Sequence, residues 1–333
     1  MLVRIVMRIV FLFIARIVVG ITFLFSGFVK LVDPMGSAYK LEEYFGAEVL
    51  NLEFLIPYAL NFSIVLILLE VLLGFKILLG YKSTITLWSL FVLTLLFLFL
   101  TWYAAYFDKV TDCGCFGDAV KLTAWETFYK NVVLLVLVVC MLFNRYRIKP
   151  IIWEPFLTGL VVIFFLVSSY VVYHVLVHLP LIDFRPYAVG KDIRAGMEHP
   201  AEGDALPPVH DFFLESDTAD LTAQILSSPQ AMLIIAPDIE KSNTKGLSAL
   251  IEVAEKAINK GYLVYGISAS TTAAIKQVKD NLVLPFDFLF CDETTLKTII
   301  RANPGVLILE KGVVSGKWNW RDIDQIFEHK HPS

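Results

Sequence analysis

Five long apolar stretches constrain the fold of this 333-residue chain more than any other feature. A helix that crosses a lipid bilayer needs about 20 consecutive, mostly apolar residues. Four of the stretches meet this requirement easily. The shortest one begins with aromatic residues, which prefer the membrane interface and extend its reach. The predicted spans cover about residues 6–28, 56–79, 85–107, 125–143 and 151–176.

The composition changes along the chain. Hydrophobic residues make up 57% of the chain and charged residues 18%, whereas soluble domains carry about 25% charged residues. These values exclude a disordered chain, a nucleic-acid-binding protein driven by basic charge and a wholly soluble enzyme. Residues 1–178 hold 13 Lys and Arg against 11 Asp and Glu, and residues 179–333 hold 15 against 21. We therefore expect a membrane module followed by a soluble domain.

The basic residues in the short loops predict the orientation of the chain. The first span carries Arg4, Arg8 and Arg16 and is not followed by a cleavage pattern, so it is not a removable signal peptide. With the N-terminus in the cytoplasm, seven basic residues lie inside and five outside, in agreement with the positive-inside rule. The inner set is Arg4, Arg8, Lys76, Lys82, Arg145, Arg147 and Lys149, and the outer set is Lys30, Lys40, Lys109, Lys121 and Lys130. Five spans then place the C-terminal domain in the periplasm of a bacterium, with the protein in the inner membrane.

Two charged residues lie inside the predicted apolar layer. Arg16 and Glu70 are each about ten residues from the inner end of their span, a depth of roughly 15 Å at about 1.5 Å per residue. Since the two helices run antiparallel, we expect Arg16 and Glu70 to form an intramembrane ion pair. Such a pair either fixes helix packing or forms a proton or ligand site, and the cost of an unpaired charge in a membrane favours the structural role.

A Cys-Gly-Cys sequence is the clearest chemical motif. Cys113, Gly114 and Cys115 lie in the predicted outer loop before the fourth span, where thiols persist as disulfides. A bridge between cysteines two residues apart is strained and therefore easily reduced, as an exchanging disulfide requires. The alternatives are a static clip, two free thiols beneath the aromatic belt, or a zinc site completed by His174 and His178. We expect redox activity at Cys113 and Cys115 and no metal site.

Several segments of the first half resemble the DoxX/MauE family of redox-associated membrane proteins. The resemblance covers roughly residues 5–145. It is carried by the segments 26–34 and 36–40, by Glu70 with Gly74, by the segment 112–118 around the two cysteines, and by residues 125–131. It implies a four-helix membrane bundle, here followed by a fifth span, and it links the chain to disulfide formation in exported proteins. The bundle is also similar in outline to quinone-coupled disulfide-forming membrane proteins. This analogy of fold alone suggests a quinone as the cofactor, and the cofactor is otherwise unknown.

The second half is predicted to be an α/β domain behind a linker. Prolines and glycines over residues 180–209 predict an extended linker. Strand-like segments at about 211–215, 231–236, 263–268, 286–291, 306–310 and 313–318 then alternate with helix-like segments at about 221–227, 247–259, 272–280, 294–302 and 323–329. We expect a membrane domain over residues 1–148, a fifth helix over 149–179, this linker, and an extracytoplasmic domain over 210–333.

The Asn303-Pro304-Gly305 turn and the strand after it resemble the C-terminal half of TlpA-like thioredoxin folds. The resemblance implies that Pro304 is a cis proline facing the active site. The Cys-x-x-Cys of that family is missing, because residues 237–242 read Pro-Asp-Ile-Glu-Lys-Ser. We therefore expect a redox-inactive binding domain, with Pro304 and its neighbours as a possible peptide contact. Cys291 is expected to be a buried structural cysteine.

The sequence favours a membrane-bound thiol–disulfide redox protein of the cell envelope. Cys113 and Cys115 would exchange electrons with the thiols of exported proteins or with a partner oxidoreductase. The lipid bilayer is the other expected partner, and no nucleic acid is expected. The alternative is a non-enzymatic membrane scaffold that presents a redox-inactive thioredoxin-like domain. The missing Cys-x-x-Cys favours the scaffold, and the Cys-Gly-Cys motif favours the redox protein.

Overall fold

The computed structural model describes residues 2–107, 116–120, 122–198 and 207–327 of the chain. The chain divides into two compact units, Met1–Val175 and Leu176–Ser333. Each unit has its own hydrophobic core.

The first unit is a bundle of helices. Its helices are α1 (Leu2–Val32), α2 (Pro34–Phe45), α3 (Ala59–Leu79), α4 (Ser83–Phe107), α5 (Ala124–Phe143) and α6 (Glu154–Val177), with 3₁₀ turns at Glu53–Tyr58 and Arg145–Arg147. Among the described residues, five segments are long and apolar enough to cross a membrane: Val6–Val32, Glu53–Leu79, Ser83–Phe107, Ala124–Phe143 and Glu154–Val177. The five predicted spans are therefore confirmed, and the chain is a multi-pass membrane protein.

Helices α1, α3, α4 and α5 enclose the core of the bundle. The core contains buried side chains of all four helices, among them Val19, Ile77, Leu90 and Val138. Helix α6 packs on its outside, where Phe164 stacks on Phe75 with ring centroids 4.2 Å apart. Large apolar side chains on the outer helix surfaces remain exposed, as is expected where lipid replaces water.

Two local features of the bundle follow directly from the sequence. Helix α5 begins with a capping box, in which Thr123 and Glu126 satisfy each other's backbone N–H groups. Helix α2 begins with Pro34 and is capped by the Asp33 side chain, which accepts a hydrogen bond from the Gly36 amide. Helix α2 was not predicted, because its 12 residues are too few and too polar for a span.

The second unit contains a five-stranded mixed sheet with the order β3-β2-β1-β4-β5. Strands β1, β2 and β3 are parallel, while β4 is antiparallel to both β1 and β5. The strands are β1 (Ala231–Ile235), β2 (Leu263–Ser268), β3 (Asp287–Phe290), β4 (Gly305–Glu310) and β5 (Val313–Asn319). The helices are α7 (Ile193–Met197), α8 (Thr222–Ser227), α9 (Thr244–Asn259), α10 (Thr272–Asn281) and α11 (Glu293–Ile299). A sheet with helices is thus present, as the alternation of segments predicted.

Strand β1 lies at the centre of this unit and is buried along its whole length. Leu233 packs into the core on one face of the sheet, and Met232 and Ile234 pack into the core on the other. This alternation follows from the two-residue period of a β-strand, which sends successive side chains to opposite faces. A strand buried on both faces is apolar throughout, as residues 231–235 are.

The prediction of an extended linker over residues 180–209 is wrong for its described part. Arg185, Tyr187 and Ile193 are buried, and Tyr187 and Ile193 belong to the main core of the second unit. Helix α7 lies within the segment, and Asp192 forms a β-bridge with Val313. Prolines and glycines correctly indicated irregular backbone, but irregular backbone can still pack into a core when its apolar side chains point inward.

The two ends of the predicted α/β order also differ from the structure. The segment at 211–215 forms only isolated bridges at Glu215, to Asp220 and Phe290. The predicted last helix is a short 3₁₀ turn at Ile323–Gln325 within the described residues. In the described part of the chain, the first of these segments pairs with the sheet only at Phe290, the end of the edge strand β3, so it has a partner on one side for a single residue.

Candidate functional site

A buried ion pair lies between α1 and α3. The Lys30 ammonium is 2.6 Å from Glu70 Oε1, and the Glu70 side chain is only 1% exposed. Lys30 also donates to Ser26 Oγ at 3.3 Å, and Ser26 donates to the second carboxylate oxygen of Glu70 at 3.3 Å. The Lys30 ammonium further lies 4.9 Å from the centre of the Phe97 ring on α4. Three helices thus contribute to one polar cluster inside an apolar bundle.

The predicted Arg16–Glu70 ion pair is wrong, because Glu70 binds Lys30. Arg16 instead binds the C-terminal end of α3, where Nε donates to the Ile77 carbonyl at 2.7 Å and Nη2 donates to the Leu78 carbonyl. The last carbonyls of a helix lack partners within the helix and carry its negative dipole end, so a cation there satisfies both requirements.

The cause of the error is the axial register between α1 and α3. A Cβ placed on Gly27 would lie 2.6 Å from the Val71 side chain and 3.1 Å from Glu70 Cβ, so Gly27 is the residue opposite Glu70. Arg16 lies eleven residues before Gly27 on α1, which corresponds to about 16 Å at about 1.5 Å per residue. Hydropathy locates spans along the sequence, but it does not determine how far one helix is displaced along another.

Two cavities flank the Lys30–Glu70 pair, and Phe97 lines both of them. The larger one, called here the Lys30 cavity, has a volume of about 570 Å³. It is lined by Lys30, Ser37, Lys40, Leu41, Tyr44, Ser63, Leu66, Ile67, Phe97, Leu100 and Thr101. The smaller one, called here the Glu70 cavity, has a volume of about 300 Å³ and contains Ser26, Glu70, Lys130 and Asn131 in its wall.

A short described segment after the Cys-Gly-Cys motif packs beside the Glu70 cavity. The Phe116 ring lies 5.4 Å from the Phe25 ring on α1, and the Lys130 ammonium on α5 lies 4.1 Å from the centre of the Phe116 ring. Gly117 has a φ of +50°, and a Cβ there would lie 3.0 Å from Val29. A side chain at Gly117 would therefore be strained and crowded against α1.

The predicted redox residues Cys113 and Cys115 lie outside the described residues. Cys140 is on α5, partly buried, and has no disulfide partner in the described part of the chain. The same described part contains no cluster of three or more His, Cys, Asp or Glu side chains able to hold a metal ion. His174 stacks on Tyr170, while His178 Nδ1 lies 2.7 Å from Asp322 Oδ1 in the second unit.

In the second unit, the loop from β1 to α9 is held by the turn before β4. Asn303 Nδ2 donates to the Asp238 carbonyl at 2.7 Å, and the Ser242 hydroxyl donates to Asn303 Oδ1. The Asn303–Pro304 peptide bond is cis, as the thioredoxin resemblance implied. Pro304 itself is buried and lies next to Gly246 in the first turn of α9.

The remaining cysteine, Cys291, is buried with 1% exposure and belongs to the main core. Burial, which penalises the thiolate, raises the pKa of Cys291 to about 12. The thiol is therefore protonated at neutral pH and chemically inert. This environment is the one expected for a structural cysteine.

A second buried charge cluster was not predicted. Asp183 accepts from Arg185 Nε at 2.7 Å and from Lys317 Nζ at 2.7 Å. Burial opposes ionisation of Asp183, but the two cations outweigh it and hold the pKa of that carboxyl below its usual range. Burial lowers the pKa of Lys317 to about 8, although the nearby Asp183 carboxylate acts to raise it. Asp183 and Arg185 belong to the segment that was predicted as a linker, so the sequence offered no signal that they are buried.

Comparison with known proteins finds a similarity in the first unit. Residues 8–144 match the family model of methylamine utilisation protein MauE. A search of curated proteins finds no match to the chain. The match includes α1 to α5, the Lys30–Glu70 pair and both cavities, so the site described above lies inside the matched region. The bundle formed by residues 8–144 is therefore similar to the MauE family of membrane proteins.

Proposed function

We propose that the chain is a membrane-bound thiol–disulfide redox protein in which Cys113 and Cys115 form the exchanging pair. The observation that supports this most directly is the packing of Phe116 beside the Glu70 cavity. Phe116 directly follows Cys115 in the sequence, and its ring packs against Phe25 of α1 and lies beneath the Lys130 ammonium of α5. We also propose that the bundle is related to the DoxX proteins, as the sequence resemblance implied.

The proposed step is an exchange that conserves atoms and electrons. A thiolate of an exported protein or of a partner oxidoreductase attacks the Cys113–Cys115 disulfide, and a mixed disulfide forms. A second thiolate of the partner then breaks the mixed disulfide. The partner gains a disulfide, and Cys113 and Cys115 take up its two electrons and two protons.

Lys130 gives a further argument for the proposal. Its ammonium lies over the Phe116 ring, one residue from Cys115. A nearby positive charge favours the thiolate, which is the reactive form of cysteine. The Lys130 charge therefore supports thiol exchange at this end of the bundle.

The test is thiol trapping in intact growing cells, because a redox pair should exist in both states. We expect Cys113 and Cys115 to be recovered partly as dithiol and partly as disulfide, and to shift on exposure to dithiothreitol or diamide. The Cys115→Ser variant should accumulate mixed disulfides with partner proteins. Cys140→Ser is the matched control and should behave as the wild type, because Cys140 is near the other end of α5.

One outcome would reverse the proposal. If the pair stays fully oxidised under every condition and Cys115→Ser traps no partner, the bridge is a static clip. The scaffold function then remains. Two features of the second unit favour the scaffold function. The β1–α9 loop contains no cysteine, and the Cys291 thiol is buried and inert.

We further propose that the second unit is thioredoxin-like and periplasmic, in a bacterial inner membrane protein with a cytoplasmic N-terminus. The sheet order and the antiparallel β4–β5 hairpin support the first part. The distribution of basic residues in the short loops supports the second. In this proposal the surface beside Asn303 contacts a peptide of the partner without exchanging electrons, while the Pro304 side chain is buried beneath it.

A further inference from the structure

We propose that the Lys30 cavity binds an uncharged, mostly apolar molecule through a carbonyl oxygen that accepts a hydrogen bond from Lys30. The proposal rests on the bundle alone and does not require Cys113 and Cys115 to be redox-active. The wall of the Lys30 cavity is mainly apolar with a few polar groups, which is the lining typical of small-molecule sites.

The walls of the Lys30 cavity favour an apolar ligand body. Leu41 of α2, Leu66 and Ile67 of α3, and Leu100 of α4 line it together with the Phe97 ring. Helix α2, which is not a span, closes the side that α1, α3 and α4 leave open. An apolar molecule dissolved in the membrane gains contacts with these side chains when it enters.

The charges of the cavity favour an uncharged ligand. Both cations in the wall already have a carboxylate partner, since Lys30 pairs with Glu70 at 2.6 Å and Lys40 pairs with Glu43 at 2.9 Å. The two pairs add no net charge to the site. An anionic ligand would add an unbalanced negative charge beside the buried Glu70 carboxylate, which is costly in an apolar site.

The hydrogen-bond donors of the cavity favour an accepting oxygen. The Ser63 and Thr101 hydroxyls are already used, because they donate to the Pro34 and Phe97 carbonyls. The Lys30 ammonium has three N–H groups and donates two of them, to Glu70 and Ser26. Within the described part of the chain, the Lys30 ammonium makes no third hydrogen bond, and its nitrogen lies 4.9 Å from the centre of the Phe97 ring. A carbonyl oxygen of a ligand would accept the third N–H of Lys30 in a charge-assisted hydrogen bond, which is strong in an apolar site.

Two membrane molecules share this chemistry, a quinone and a lipid acyl ester. The experiment is calorimetric titration of the purified full chain in detergent with decylubiquinone, with monoolein and, as the anionic comparison, with oleate. The background is Cys113→Ser, Cys115→Ser, so that thiol chemistry does not contribute heat. Binding in this background also separates failure of this proposal from failure of the redox proposal.

The variants test the position of the site and the donor. Leu66→Trp fills the cavity and should weaken binding at least tenfold, whereas Leu69→Trp, on the exposed side of the same helix, should leave it unchanged. Lys30→Met with Glu70→Leu removes the donor without leaving a buried charge. This double variant should weaken binding by about tenfold, since a hydrogen bond from a charged group contributes about 1.5 kcal/mol or more. Leu100→Trp on α4 repeats the filling test if Leu66→Trp does not fold.

Each result has a defined meaning. Binding of decylubiquinone alone identifies the ligand class as a quinone, and binding of monoolein alone identifies it as an acyl ester. Either result supports the site if the filling variants abolish the binding. Tighter binding of oleate than of either uncharged probe overturns the proposal. The absence of binding by both uncharged probes, or equal binding by wild type and the Lys30→Met, Glu70→Leu variant, also overturns it.

Discussion

The Lys30–Glu70 ion pair lowers the free-energy cost of burying each of the two charges in the bundle. Glu70 is 1% exposed in an apolar bundle, and its ammonium partner and Ser26 together satisfy it. Charged side chains inside the apolar interior of a membrane protein are rare, and they usually mark a functional site. The alternative is a structural role in holding two helices together. Because the pair separates two cavities, removal of either residue affects both stability and the site.

We expect the pair to be coupled. Lys30→Met and Glu70→Leu should each lower the free energy of unfolding by about 3 kcal/mol, because each leaves the other charge buried and unpaired. The double variant should cost less than either single one. Thermal unfolding in detergent measures this. The exposed pair provides the control, since Lys40→Met should change stability by no more than about 1 kcal/mol. A double variant less stable than both single variants would contradict the coupling.

Lys317 predicts an unusual dependence of stability on pH. Its folded pKa is about 8, against 10.5 for an unperturbed lysine. Between these values the unfolded chain binds more protons than the folded chain. The free energy of unfolding contributed by this residue therefore rises with pH across that window.

Labelling of Cys291 under urea can measure this effect, since the thiol is buried in the folded second unit. In a Cys113→Ser, Cys115→Ser, Cys140→Ser background, we expect the midpoint of labelling to rise between pH 8 and pH 10. Lys317→Met keeps the Arg185–Asp183 pair and should remove the rise. A midpoint that changes with pH to the same extent in both proteins would show that other groups are responsible.

At the scale of elements, glycines allow α1 and α3 to approach closely. A Cβ on Gly74 would lie 2.8 Å from the Leu24 amide nitrogen and 3.0 Å from the Gly20 carbonyl oxygen. Small residues of this kind allow close packing between membrane helices, for which no hydrophobic force exists inside lipid. This contact also sets the register that places Glu70 beside Lys30 and Arg16 beside the last turn of α3.

Gly74→Val should therefore destabilise the bundle. Forcing a larger side chain into a packed interface costs about 1–3 kcal/mol, and the backbone atoms opposite Gly74 cannot rotate away. Gly159→Val is the matched control, because a Cβ at Gly159 on α6 meets no atom within 4 Å. Both variants change helix propensity equally, so the difference between their unfolding temperatures reports the α1–α3 contact. Equal temperatures would mean that the helices can separate without cost.

At the scale of the whole molecule, the orientation in the membrane decides whether the thiol proposal is chemically reasonable. Disulfides persist outside the cytoplasm and are reduced within it. In the proposed topology the chain crosses the membrane five times, so the N-terminus and the C-terminal domain are on opposite sides. The loop that carries Cys113 and Cys115 is then on the same side as the second unit.

Reporter fusions in a bacterial host test this orientation. Alkaline phosphatase is active only outside the cytoplasm, so we expect activity when it is fused after Ser333. A fusion within the loop at Lys82, which is on the predicted inner side, should be inactive. The reverse pattern would place Cys113 and Cys115 in the cytoplasm and would remove the oxidising environment on which the exchange depends.

Local signals in the sequence were sufficient for much of the architecture. Apolar stretches predicted the five spans, and the alternation of segments predicted the strands β1, β2, β4 and β5 to within one residue at each end. These features depend on composition over a few turns or on a short period, and both can be read from adjacent residues. The cis bond at Pro304 followed from a resemblance rather than from such a signal.

The pairing of distant residues was decided only by the tertiary structure. Hydropathy indicated that Arg16 and Glu70 are both in the membrane, but close contact at Gly74 and Gly27 decided that Lys30 is the partner of Glu70. Likewise, composition indicated an irregular segment before the sheet, and only packing decided that Asp183 and Arg185 meet Lys317 in the interior. Axial register and burial depend on contacts between elements far apart in the chain, which no local pattern encodes.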